Sequence, residues 1–165
     1  MYKLVAPDKI PLAEAVDETK LVDAFKLATA LSVLCVKEQG VGLSATQVGI
    51  PLNLFVIKNS LSSENYLHGF SHWVNCRYEP VGEEVYESYE GCLSLKDASG
   101  NLKFYVVSRH KSIRVIGKQI IAKNEIVLKD VDMVVSDFAA VYAHEIDHSF
   151  GITIDKIGSP AKARN

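Results

Sequence analysis

Between Thr19 and Gln39 the apolar residues Leu21, Phe25, Ala28, Leu31 and Cys35 recur at helical spacing. With Asp17 or Thr19 as candidate N-caps and Gly40 at the far end, the pattern predicts one amphipathic helix with a buried stripe. Cys35 falls on that stripe and reads as a small buried hydrophobe. Downstream the pattern changes. "NLFVI" (53–57), "EEVYESY" (83–89), "KFYVV" (103–107), "SIRVI" (112–116) and "EIVLKDVDMVV" (125–135) carry the β-branched and aromatic content of strands, punctuated by Gly, Asn, Ser and Lys. Their spacing predicts a mostly antiparallel sheet. Residues 58–72 are polar and turn-rich and predict a long surface loop. Helical spacing returns near Ser136 or Asp137, either of which could cap it, and runs through "FAAVYAHEIDH". There Ala140, Val141, His144 and His148 share one face. No repeat or low-complexity tract interrupts the chain, which predicts one α+β domain over residues 1–165.

Composition narrows the function classes. Nearly half of the residues are apolar (48%), enough for an ordinary core without disulfides. Eighteen basic residues against 20 acidic ones, a net charge of -2, leave no broad cationic face for phosphate backbones or anionic lipids. The start, "MYKLVAPDKIPL", has a proline and charges where a secretory peptide needs an apolar core, and no apolar run approaches membrane-spanning length. A cytoplasmic protein that binds neither membrane nor nucleic acid is expected. Cys35, Cys76 and Cys92 are odd in number and widely spaced, which suits a reducing compartment.

The candidate chemistry lies in "HEIDH". Two imidazoles at i and i+4 can converge on one ion, and Glu145 lies about 100° round the helix from His144, close to the ion without ligating it. That is the place for a general base; the plain alternative is a polar helix end. A third ligand decides between them. Downstream, Gly151 fits the extended zinc-protease pattern, but Ile154 stands where its last histidine would be, and no Glu follows Glu145. Upstream, "YEGCLSL" offers Cys92, whose thiolate would complete a Cys-His-His set and leave one position for water. By itself Cys92 would read as a buried cysteine. In "GVGLSATQVG" (40–49), Gly40 and Gly42 permit close backbone approach and Gln47 offers amide donors, although a helix stop and turn explains the same residues. His68, His72 and His110 lack partners at ligand spacing and read as surface or loop residues; Cys76 reads as a strand residue.

Together, "GVGLSATQ", "EGCLS" and "HEIDH", in this order and at these separations, resemble the three signature motifs of peptide deformylases. The resemblance implies mostly antiparallel sheets around a central helix carrying the metal motif, with the N-terminal amphipathic helix beside them. It also implies a metal-dependent hydrolase that removes the formyl group from the initiator methionine of nascent polypeptides and releases formate. It carries over Cys92, His144 and His148 as metal ligands, Glu145 as acid/base, and Gln47 with the Leu93 backbone N–H as oxyanion donors. Gly42 and Gly91 fall among the substrate-binding positions, Val41, Ala140 and Val141 line the methionine pocket, and Glu90 and Arg109 form a supporting polar pair. Ferrous iron is the implied metal, with zinc, nickel or cobalt compatible with the same donors. The implied partners are N-formylmethionyl peptides of nascent chains at the ribosome, and the implied state is a monomer.

Ser44 departs from the family's usual Ala, Asn75-Cys76 from Asn-Pro, and Ser149-Phe150 from Leu and a polar residue. The long C-terminal helix of many bacterial members is expected to be absent. Two alternatives stand beside this reading: another zinc peptidase, which would cleave internal peptide bonds, and a catalytically degenerate deformylase-fold binding module.

Overall fold

In the computed structural model, residues 2–59 and 69–162 are described. The Asp17 carboxylate accepts from the Thr19 backbone N–H at 3.0 Å and from its hydroxyl at 2.7 Å, which closes a 3-10 turn over Glu18–Lys20. That turn leads into α1 (Leu21–Lys37). Ala24, Leu27, Ala28, Leu31, Ser32, Leu34 and Cys35 are buried along α1, whereas Leu21 and Phe25 are only half-buried. The buried face is therefore wider than the predicted stripe and rotated from it, because α1 lies across several strands at once.

Two antiparallel sheets receive the helices. The larger has the order β1 (Gly42–Ser44), β2 (Leu54–Lys58), β3 (Phe70–Pro80), β6 (Ile113–Ala122), β7 (Ile126–Val135). The smaller has the order β4 (Val85–Lys96), β5 (Leu102–His110), β8 (Ser159–Ala161). The predicted strands at 53–57, 83–89, 103–107, 112–116 and 125–135 correspond to β2, β4, β5, β6 and β7, and β4, β5 and β6 run on beyond the predicted ends. Helix α2 (Ala139–Ser149) touches β1, β2, β3 and β6 of the larger sheet and β5 of the smaller one, so it sits between them. A short α3 (Ile154–Ile157) and then β8 follow it. Among the described residues no helix is long and apolar enough to cross a membrane.

Two local expectations are corrected. The loop predicted over 58–72 is partly strand, since Lys58 ends β2 and Phe70, Ser71 and His72 begin β3; residues 60–68, with His68, lie outside the described residues. The polar Ser71 and His72 are held in the ladder by pairing with Ile57 and Val56, a long-range effect that local composition does not carry. Nor does Ser136 or Asp137 cap α2 with its side chain. The Ser136 hydroxyl lies 2.8 Å from that of Ser112, and the N-cap is Phe138 in a left-handed conformation at φ 62°.

His72 is thus a packed strand residue. Its Nε2 lies 3.1 Å from the Ser32 hydroxyl of α1, its ring lies 5.7 Å from that of Phe25, and burial pushes its pKa down to about 4. The folded state keeps the imidazole neutral while the unfolded chain takes up a proton below about pH 6.5. Stability from this site is therefore complete above pH 6.5 and declines as pH falls toward 4. Urea unfolding at pH 7 and pH 5 should show about 1–2 kcal/mol of loss that a His72→Gln variant lacks; equal slopes would refute it.

The departures at 75–76 have a structural place. The β3–β6 register shifts between Val74 and Arg77, and there Asn75 adopts φ 55°, a region that Asn tolerates better than most residues. Its side chain accepts from the Val16 N–H at 2.7 Å and donates to the Val16 carbonyl at 3.1 Å, tying the N-terminal segment to the sheet. Cys76 is buried against Gly117, where an added Cβ would lie 2.5 Å from its sulfur.

Candidate metal centre

His144 and His148 stand one turn apart on α2, with ring centroids 5.0 Å apart. Cys92 reaches them from β4, where the register with β5 shifts between Gly91 and Lys96 and Cys92, Leu93, Ser94 and Leu95 are all buried instead of alternating. Such an irregularity re-aims side chains that a flat strand would send to opposite faces. Cys92 Sγ lies 3.4 Å from His148 Nε2, and one ligand atom from each of Cys92, His144 and His148 lies within 4.8 Å of the others. Gln47 approaches from the turn after β1, with Nε2 3.4 Å from Cys92 Sγ and 3.3 Å from Ser94 Oγ. Its Oε1 accepts from the Ser44 N–H at 3.0 Å, a capping box that fixes the side chain. The Ser44 hydroxyl is used locally, 3.1 Å from that of Thr46.

A buried charge network backs the histidines. Glu90 Oε2 lies 2.9 Å from His144 Nδ1, and Arg109 grips Glu90 through Nε at 2.8 Å and Nη2 at 3.0 Å. Arg109 Nη1 also donates to Asp147 at 2.6 Å, and the Tyr78 hydroxyl donates to the other Asp147 oxygen at 2.9 Å. Burial would raise the Glu90 pKa, but its bonds to His144 and Arg109 outweigh burial and hold it at about 2. Burial raises that of Asp147, against Arg109 and Tyr78. Charges so deeply buried persist because each is paired and hydrogen-bonded. Asp147 and Tyr78 were not singled out from sequence. Asp147 stands three residues after His144 inside "HEIDH", a readable signal; Tyr78 is 69 residues from its partner and carries none.

These donors suit a cation. Burial disfavours a charged His144, yet its bonds to Cys92 and Glu90 push its pKa up to about 10, so the surroundings favour positive charge there. His148 is pushed well down by burial and by His144 and stays a neutral nitrogen donor. A sulfur and two imidazoles, one backed by a carboxylate, match the donor set of a divalent ion of intermediate softness.

Glu145 is 4% exposed and faces β1. A Cβ at Gly42 would lie 2.5 Å from Glu145 Oε1, so any larger residue there would have to displace the carboxylate. Glu145 Oε2 is buried without a partner among the described residues. Burial and then Glu90 raise its pKa, against His144, to about 7.

Above these groups opens a cavity of about 330 Å³. Val41, Gly42 and Gln47 line one side, Gly91 and Leu93 of β4 another, and Ala140, Val141, His144 and Glu145 of α2 the third. Cys92 and His148, each 1% exposed, lie behind that lining. Both β1 and β4 are edge strands of their sheets, so two strand edges border the cavity. Cys35 and Cys76 are buried in other clusters, and His72 sits under α1. Ser149 is buried with its hydroxyl unpartnered among the described residues, while Phe150 is exposed.

The polypeptide deformylase family model matches residues 5–163. Peptide deformylase 1 of Corynebacterium efficiens is 32% identical over 126 residues, covering 76% of this chain and 66% of that protein. Peptide deformylase 2 of Rickettsia conorii is 28% identical over 123 residues, covering 70% and 56%. The match thus spans just under two thirds, or less, of these relatives' length. The crystal structure of peptide deformylase from Thermotoga maritima is similar with a TM-score of 0.72 at 26% identity, covering 97% of this chain and 99% of that one.

Proposed function

The chain belongs to the peptide deformylase family, and on that premise we propose that it is a metal-dependent hydrolase that removes the N-formyl group from the initiator methionine of nascent polypeptides. The observation that carries the reading is the convergence of Cys92, His144 and His148 beside a buried Glu145 at one cavity. Those three residues would hold one divalent ion, ferrous iron by family resemblance and zinc, nickel or cobalt by the same donor chemistry. Bound there, the ion supplies Lewis acidity and brings the pKa of water toward neutrality.

The chain's own groups do the rest. Glu145 takes the proton released as water attacks the formyl carbon and returns it to the amide nitrogen as the C–N bond breaks, leaving formate and a free amino terminus. The Gln47 amide and the Leu93 backbone N–H donate to the oxygen that gains charge. The Gln47 contact to Ser94 Oγ, at 3.3 Å, is long for an N–H···O bond, so that N–H can turn to the charged oxygen at small cost. Glu90 and Arg109 keep His144 oriented. An extended peptide pairs its main chain along the β1 edge at Val41 and Gly42, with Gly91 on the β4 side. Val41, Ala140 and Val141 receive the methionine side chain. In this reading residues 1–165 are one catalytic domain, a cytoplasmic monomer acting on chains emerging from the ribosome.

The test is formate release from a formyl-Met peptide, with protein purified without oxygen and loaded with ferrous iron. Formate with no cleavage of internal bonds is expected. Internal cleavage would indicate a zinc peptidase of another kind, and no release from a folded, metal-loaded protein a degenerate module.

A further inference from the structure

Ser88 lines the same cavity as Val41, Ala140 and Val141, the residues assigned to the first side chain of the substrate. From Ser88 to Cys92, before the irregular stretch of β4, burial alternates, so Ser88, Glu90 and Cys92 share one face. Two contacts set that face against α2: Cys92 meets His148, and Glu90 meets His144. Each step along this pairing is two residues on the strand, about 6.8 Å, and four on the helix, about 6 Å. The next step sets Ser88 opposite Ala140, and both line the cavity. Arg109 and His144 occupy Glu90, and Gln47 approaches Cys92. The Ser88 hydroxyl has no hydrogen-bond partner among the described residues, although the residue is only 7% exposed. Ala140 is too short to cover it.

We propose that Ser88 determines specificity for the first side chain: its hydroxyl donates to an acceptor on that side chain. The pocket then takes N-formyl peptides that begin with a methionine-length side chain carrying a polar group, methionine sulfoxide being that chemistry, alongside methionine. This rests on the deformylase reading. A thioether sulfur is a weak acceptor, so an unmodified methionine displaces water from the hydroxyl without replacing its hydrogen bond. The sulfoxide oxygen replaces it, at the position where oxidation makes an apolar side chain polar.

The test compares kcat/KM for formyl-Met(O)-Ala-Ser with that for formyl-norleucine-Ala-Ser, which has the same length and no acceptor. Parent, Ser88→Ala and Ser88→Thr proteins are compared, and calorimetric Kd values are measured for the two deformylated products. The sulfoxide-to-norleucine ratio should fall roughly tenfold in Ser88→Ala and survive in Ser88→Thr, with the ratio of product affinities moving the same way. Equal ratios in parent and Ser88→Ala overturn the role of Ser88 while leaving deformylation intact. Formate from none of the peptides with the parent overturns the deformylase reading itself; the product affinities still decide whether Ser88 discriminates.

Discussion

Replacing Glu145 with Gln is expected to lower formate release from a formyl-Met peptide by about 10²–10⁴-fold, the range for a lost general acid/base. The substitution is nearly isosteric, which matters at this site. Glu145 is 4% exposed, and its Oε1 occupies the space that a Cβ at Gly42 would need. An amide of the same shape keeps that contact and the cavity wall while losing the capacity to take and return a proton. Metal content, measured on the same samples, should equal that of the parent. Activity within threefold of the parent would remove Glu145 from the proton-transfer role, and loss of metal together with activity would make its role structural.

The second large effect is expected at Cys92. Cys92→Ala removes the one sulfur donor, and chelator competition should report a fall in metal affinity of more than about 100-fold, beyond the loss typical of outer-shell changes. Formate release should vanish with it. Cys92 is packed with Leu95, Val107 and Ile154, so the smaller side chain leaves a modest void, and circular dichroism should still report a folded protein. A Cys92→Asp variant separates charge from softness. With a harder oxygen donor it should regain some binding and shift preference away from metals that favour sulfur. Unchanged affinity in Cys92→Ala would mean that the ion is held elsewhere.

Several features of the site are legible in the sequence. Spacing alone places His144 and His148 on one helical face, and Ile154, which cannot ligate, points upstream to Cys92. Gly42 was read as a place of close approach; the group that approaches is Glu145, which spacing could not name. Other features were not readable. His72 looked like a loop residue because its strand is held by partners on β2, and Asp147 looked incidental until Arg109 and Tyr78 were seen to reach it.

By itself the sequence determined the elements whose periodicity is local, namely α1, α2 and the strands β2, β4, β5, β6 and β7. It also determined the three motifs whose residues line the cavity. The tertiary structure alone decided that β3 begins at Phe70, that Phe138 opens α2, and that Ser88 and Ala140 line one cavity. The physical reason is range. Periodicity records which face of an element is apolar, a matter of neighbouring residues, whereas Cys92 meets His148 across 56 positions and Gln47 meets Cys92 across 45. Which buried face meets which is settled only when the two sheets close on α2 and Glu90, Arg109 and Asp147 find one another.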